Sequence, residues 1–360
     1  MRRRMKTILL IIIGMLCGAV GCTEPTKNVT EFDVPEGATE IHASIADAYE
    51  GARAIVTIIS DDGFYETGVN LNTILKKRNL KGTVAGVITI VKPYFDDWKM
   101  LLGDETIELV SHSYNHIRME DGREIAQDID ALMHEIVNAD KWYEEEFGYE
   151  QIVFVCPENQ MCKIGYKILE ENDFWAVRRG NRGFNPISPE EGVNEGEWFN
   201  LMVQGICDEG VDTSVRNGWI DTAINDGTWL IEMWHNVMAK EDGGYQTILI
   251  SEAEEHLDYI FEKSEANEIW VATYSEAVKY IRERQNSNIV AYVDANELHV
   301  YVELTDEAMS YNTFNQPLTV ILNMPEDMTI EEKEIVNIEG DTVMINMVPG
   351  EEAIIELFEE

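Results

Sequence analysis

The chain has 360 residues, with 27 lysines and arginines against 68 aspartates and glutamates, for a net charge of −41 near neutral pH. A surface that acidic repels nucleic acid and anionic lipid, which excludes DNA, RNA and a basic membrane-binding face. The length suits one large domain followed by a small one.

The N-terminus reads Met1-Arg-Arg-Arg-Met-Lys6, then an apolar run from Thr7 to Leu16, then Ala19-Val20-Gly21-Cys22. A basic stretch, a short apolar stretch and small residues at a cleavage point make a secretory signal over 1–22, too short for a membrane span. Cysteine directly after Ala-Val-Gly resembles a bacterial lipobox. That resemblance implies lipidation of Cys22 as the only membrane attachment, and an extracytoplasmic location. Loss of Arg2, Arg3, Arg4 and Lys6 would leave the mature chain more acidic still. Residues 23–47, with Pro25 and Pro35, read as a tether. Beyond the signal, Cys156, Cys162 and Cys207 form neither a disulfide framework nor a zinc knuckle; one bridge or three buried thiols remain open.

From residue 48 the pattern alternates between strands and helices. Apolar runs predict strands at Ala54–Ser60, Thr83–Ile88, Thr106–Ser111, Ile152–Cys156, Phe174–Val177, Trp229–Trp234 and Glu268–Ala272. Their near-continuous apolar character predicts burial on both faces, as in a parallel sheet. Spacing of three and four predicts a helix over Asp121–Phe147, with Ile125, Ile129, Leu132, Met133, Ile136, Val137 and Tyr143 on its inner face. Further helices are expected at Ser251–Lys263, opened by a Ser-x-x-Glu capping box, and at Ser275–Arg284, capped by Ser275. This alternation predicts an α/β barrel over 48–286.

Chemistry gathers where these strands end. Asp61-Asp62-Gly63 follows the first, and His112-Ser113-Tyr114-Asn115-His116 follows the third. One aspartate and two histidines suit zinc or a similar divalent ion, and the second aspartate is then free to act as a base. The same triad would also suit non-haem iron. His235 closes the run from Trp229, and Arg178 and Arg179 follow Phe174–Val177. Trp175, Trp198, Trp219 and Trp234 are available to stack on sugar rings or to fill the core, with Trp234 beside His235 the best placed. His42, His134, His256 and His299 join no constellation and read as surface or packing residues.

After residue 286 the pattern changes. Ile289–Val293, Leu298–Leu304, Leu318–Leu322, Glu334–Ile338, Val343–Met347 and Ala353–Phe358 read as short strands, with a helical turn at Ile330–Lys333. They predict a small all-β, sandwich-like domain over 287–360. Packing against the barrel and carbohydrate binding are both open to it.

Taken together, residues 48–286 resemble the polysaccharide deacetylases of carbohydrate esterase family 4, the NodB-homology fold. Asp61-Asp62-Gly63 matches the family's TFDDG, with Ile59-Ser60 in place of Thr-Phe. His112 to His116 matches H-[ST]-x-x-[HN] completely. The resemblance implies a distorted (β/α)7 barrel, with Asp62, His112 and His116 as metal ligands, Asp61 as catalytic base and His235 as general acid. It implies a divalent metal, zinc first with cobalt or nickel as alternatives, and an acetylated glycan as substrate. Phe154-Val155-Cys156-Pro157-Glu158 matches the third motif only in part: the arginine that orients the base is missing. Arg178 is the candidate replacement, and the backbone at Pro157-Glu158 a candidate oxyanion site. The alternative is a non-catalytic, glycan-binding surface lipoprotein with a degenerate barrel.

Overall fold

The computed structural model describes residues 34–360 except 190–195, 241–243, 307, 325–327, 331–336, 340–341 and 360. The expected signal, Cys22 and the first part of the expected tether, 23–33, therefore lie outside the described residues. No described helix is long and apolar enough to cross a membrane.

Seven parallel strands close a barrel. They are β1 (Ala54–Ser60), β2 (Gly82–Gly86), β3 (Ile107–Ser111), β4 (Val153–Val155), β5 (Ala176–Arg182), β6 (Leu201–Gly205) and β7 (Thr228–Trp234), with β7 pairing back onto β1. All seven residues of β1 are buried. Val56 and Ile58 face the surrounding helices through Leu71, Ile74 and Leu257, while Ile55 and Ile59 meet Val155, Val203 and Ile231 inside the ring. Two covered faces explain a run without polar alternation, and each such side chain contributes roughly 1.5–3 kcal/mol.

The ring differs from the expected one in two strands. β6, Leu-Met-Val-Gln-Gly, is too short and too interrupted by Gln204 for its apolar pattern to reveal it. β8 (Ile269–Val271) is not a full barrel strand. It pairs with Ala54–Val56 on the edge of β1 whose far end, Ile59–Ser60, takes β2. β5 also runs further than predicted, so that Arg178 and Arg179 lie on the strand rather than in a loop.

The expected helix over Asp121–Phe147 is broken into a 3-10 turn at Glu124–Gln127, α-helix at Ile129–Met133, a π-helical turn at His134–Asn138 and α-helix at Ala139–Phe147. Ile129, expected on the buried face, is exposed. Ser251 does not cap its helix, which starts at Ile250 without a side-chain cap. Thr273 caps Tyr274–Gln285 in place of Ser275, forming a full capping box with Glu276.

The C-terminal strands form two antiparallel sheets packed face to face. One runs Met328–Ile330, Glu352–Glu359, Glu297–Leu304, Ser287–Asp294 and Thr39–Glu40; the other runs Asn337–Glu339, Thr342–Met347, Leu318–Asn323 and Ala43–Ile45. Val300, Val302, Val320, Leu322 and Ile345 fill the space between them. Thr39–Glu40 and Ala43–Ile45, assigned to the tether by sequence, are thus strands of this domain. Ile330 belongs to a strand, not a helical turn; residues 331–336 of the two remaining expectations lie outside the described set. Tyr280, on the last barrel helix, sits in the sandwich core and donates to Ala46 O at 2.9 Å.

Candidate active site

Because the barrel strands are parallel, their C-terminal ends open at one mouth, and the chain segments leaving them meet there. Asp61 and Asp62 leave β1, His112 leaves β3, Pro157 follows β4, and His235 leaves β7. Asp62 and Gly63 turn sharply at φ 77° and 81°. A Cβ on Gly63 would lie 2.7 Å from Gly86 Cα, so glycine is required there.

Ligating atoms of Asp62, His112 and His116 all lie within 4.8 Å of one another. His116 Nε2 is 3.5 Å and His112 Nε2 4.0 Å from Asp62 Oδ1. His112 Nδ1 is 2.8 Å from the carbonyl of Val155, which can only accept; that nitrogen therefore carries the proton and Nε2 presents its lone pair. Burial pushes the His112 pKa down to about 3, so the ring is neutral, as a metal ligand must be. Burial, and then the charge of Asp61, push Asp62 up. One carboxylate and two imidazoles, with the Asp61 carboxylate beside them, are a donor set that fits a divalent cation.

The His112–His116 loop holds two non-glycine residues in the left-handed region, Ser113 at φ 71° and His116 at φ 61°. Each costs roughly 1–2 kcal/mol. Ser113 Oγ accepts the His116 N–H at 3.0 Å, which offsets part of that cost.

Asp61 is 5% exposed and Arg178 fully buried, and Arg178 Nη2 donates to Asp61 Oδ1. Burial alone would raise the Asp61 pKa; the guanidinium outweighs it and holds the carboxyl below the usual range. Arg178 Nη1 donates to Asn159 Oδ1 at 2.8 Å. The guanidinium missing after β4 thus arrives from the neighbouring strand, where Arg178 is the register partner of Val155. Arg179 turns away, with Nη2 3.5 Å from Gln160 Oε1.

His235 Nε2 lies 3.9 Å from Asp61 Oδ2. Its carbonyl accepts the Ser60 hydroxyl at 2.8 Å, and its ring meets Tyr245 edge-on at 4.8 Å. Its Nδ1 is buried with no hydrogen-bond partner among the described residues. Pro157 is buried; Glu158 adopts φ 47° and sends its carboxylate to Arg118, 3.5 Å away.

Trp234 is not a sugar platform. It is fully buried on the helix side of β7, donating Nε1–H to Glu232 Oε2 at 3.0 Å. Trp198 is also buried, under the guanidinium of Arg282 at 4.0 Å. His256, read as a surface or packing residue, is buried between Glu232 Oε1 and Asn217 Oδ1, each at 2.8 Å. Cys156, Cys162 and Cys207 are free thiols, and burial pushes Cys156 up to about 12.

The open aromatics at the mouth are others. Phe64, Tyr65, Tyr94 and Tyr245 line a cleft of about 530 Å³ with Asp62 and Asn236 in its wall. Tyr65 stacks on Tyr94 at 5.6 Å, and Asn236 Nδ2 holds the Tyr245 carbonyl at 2.9 Å. Nothing in the local sequence marks them as a group, because Phe64 and Tyr65 at a helix start, Tyr94 in a 3-10 turn and Tyr245 in a loop share no periodic signal.

No family model and no curated protein sequence matches the chain. Among solved structures, one described as a polysaccharide deacetylase from Mycobacterium smegmatis has a TM-score of 0.50 at 15% identity, over 67% of this chain and 94% of that one. The Xyl-CE4 domain of a multidomain xylanase from the hindgut metagenome of Trinervitermes trinervoides has a TM-score of 0.44 at 17% identity, over 65% and 92%. A CE4 family pseudoenzyme from Bacillus anthracis has 0.43 at 17%, over 64% and 66%. The chain has the polysaccharide deacetylase fold, a (β/α)7 barrel carrying an additional β domain.

Proposed function

We propose that this polysaccharide-deacetylase barrel is a divalent-metal-dependent hydrolase that removes acetyl groups from an N- or O-acetylated oligo- or polysaccharide. One observation carries the reading: an arginine-paired, ionised Asp61 lies beside the Asp62–His112–His116 triad, with His235 on its other side.

Asp62, His112 and His116 would hold the cation, zinc first, with cobalt or nickel as alternatives. Such an ion supplies Lewis acidity towards the acyl oxygen and the attacking water. Asp61, kept ionised by Arg178, takes the proton from that water as it attacks the acetyl carbon. Arg178 fixes Oδ1, which leaves Oδ2 facing His235 and the mouth. His235 gives a proton to the departing sugar nitrogen or oxygen, and acetate leaves. The Glu158 main-chain N–H is the proposed donor to the oxyanion. The cleft of Phe64, Tyr94 and Tyr245 offers apolar ring faces of the kind sugar rings pack on.

The test is acetate release from a panel of N- and O-acetylated glycans by the purified protein, after chelation and after adding back zinc, cobalt or nickel. Metal-restored release supports the reading and names the substrate class. Tight metal binding without release from any glycan would favour the glycan-binding alternative. Cys22 is proposed as a lipid anchor; Cys22→Ala should move the protein from the membrane fraction to the soluble one, and unchanged fractionation would refute the anchor.

A further inference from the structure

We propose that Glu135 is a positioning residue for the metal-binding loop, acting on His116 through Asn115. The inference rests on the metal-site reading above and adds a residue to it.

The two histidines are held in different ways. His112 has its ring fixed by the carbonyl of Val155. The ring of His116 meets only Asp62 as a polar partner among the described residues, and it is a third exposed. Its position must therefore come from the backbone. The carbonyl side of the loop is docked by Ile88 N–H on Ser113 O and Thr89 N–H on Tyr114 O, each at 3.2 Å. The amide side goes to one residue. Asn115 N–H donates to Glu135 Oε2 at 2.8 Å, Asn115 Nδ2 donates to Glu135 Oε1 at 2.7 Å, and Tyr114 N–H donates to the Glu135 main-chain oxygen at 3.2 Å.

Glu135 is 1% exposed and lies in the π-helical turn His134–Asn138. Such turns interrupt α-helices at functional sites more often than elsewhere. The same turn places His134 against the Tyr114 ring at 4.3 Å. A buried carboxylate with each oxygen accepting an Asn115 N–H is oriented by those bonds. Gripping the residue before His116, it fixes the left-handed turn at His116 from the N-terminal side, while the Ser113 hydroxyl holds the His116 amide itself. Outer groups that orient ligands in this way typically change metal affinity by 10–100-fold when removed.

The experiment is cobalt(II) titration of the full chain, read from the visible absorption band and from chelator competition, with thermal melts in chelator as a control of fold. Glu135→Met keeps the length of the side chain but offers Asn115 no acceptor oxygen for either of its two N–H groups. It should weaken cobalt binding roughly 10–100-fold and alter the band. Asn115→Asp alone sets two carboxylates face to face and should also weaken binding, whereas a simple gain of negative charge near the ligands would strengthen it. The double variant, Glu135→Gln with Asn115→Asp, restores the pattern: the new glutamine accepts the main-chain N–H through its oxygen and donates its amide to the new carboxylate. It should recover most of the affinity and the band. Glu135→Met binding cobalt as tightly as wild type overturns the inference and leaves the metal site standing. So does a double variant that fails to regain affinity, whether or not the single variants fold. A wild-type chain that takes up no cobalt would overturn both.

Discussion

Arg178 and Asp61 are 117 residues apart in the chain and meet as a buried pair across the barrel mouth, from β5 to the end of β1. These strands are not neighbours in the ring, so the side chain of Arg178 reaches over the opening rather than along the wall. Arg178→Gln leaves a carboxylate out of water without its partner, a change that costs about 3–5 kcal/mol. Thermal melts should show that loss, and kcat should fall with it. Arg178→Lys keeps the charge but cannot reach Asp61 and Asn159 together, so it should lie between the two. A stable, fully active Arg178→Gln would remove the arginine from the mechanism.

Asp61→Asn separates the base from the ligands. Turnover should drop by about 10²–10⁴, the usual scale for removal of a general base, while cobalt affinity stays close to wild type. His116→Ala should do the reverse at the first step and lose the metal. Near-wild-type activity in Asp61→Asn would mean that another group takes the proton.

Tyr245→Ala should raise KM for an acetylated oligosaccharide by about five-fold, from a stacking contribution of roughly 1 kcal/mol, and leave a small acetyl ester unaffected. Trp234→Phe makes the opposite comparison. It takes a donor away from buried Glu232 and should cost about 1–3 kcal/mol of stability with KM unchanged. A KM effect from Trp234 and none from Tyr245 would put the sugar elsewhere.

Glu283 lies under the β domain, one oxygen accepting the Gln316 N–H at 3.1 Å and the other without a partner among the described residues. Burial pushes it up to about 8 from an ordinary 4.5. Between those values the folded chain keeps a proton that the unfolded chain has released, so stability is full at lower pH and is lost as pH rises through that window. Glu283→Gln should flatten this dependence and raise the melting temperature at pH 8 but not at pH 4. Parallel melting curves for the two proteins across that range would assign the dependence to other groups.

Much of the site can be read from the sequence because its ligands stand at the ends of apolar strands, and strand burial on both faces leaves a plain signal. β1 begins and ends at the expected residues, Asp61, Asp62, His112 and His235 fall directly after such runs, and His116 closes the short loop that follows His112. Arg178 is harder to place: a charged residue inside a strand looks like the strand's end, and only the partner Asp61 makes its burial tolerable. Trp234 misleads for the reverse reason. Adjacent positions on a strand face opposite sides, so the neighbour of a mouth residue points into the helix layer. Glu135 gives no sign, because what singles it out is a π-helical turn, and a one-residue change of helical register does not disturb three-and-four spacing enough to be seen.

The first two strands of the β domain precede the barrel in the chain, and the others follow it. Thr39 pairs with Val293, and Ile45 with Val320. The barrel is therefore threaded as an insert within the sandwich. During synthesis, residues 39–45 leave the ribosome long before their partners do, and loop closure across some 250 residues becomes affordable only once the barrel has drawn its own two ends together. A protease that cut just beyond residue 45 would free a bordering strand from each sheet at once. Both sheets would then present unpaired backbone, the surface through which one chain recruits the next into an aggregate.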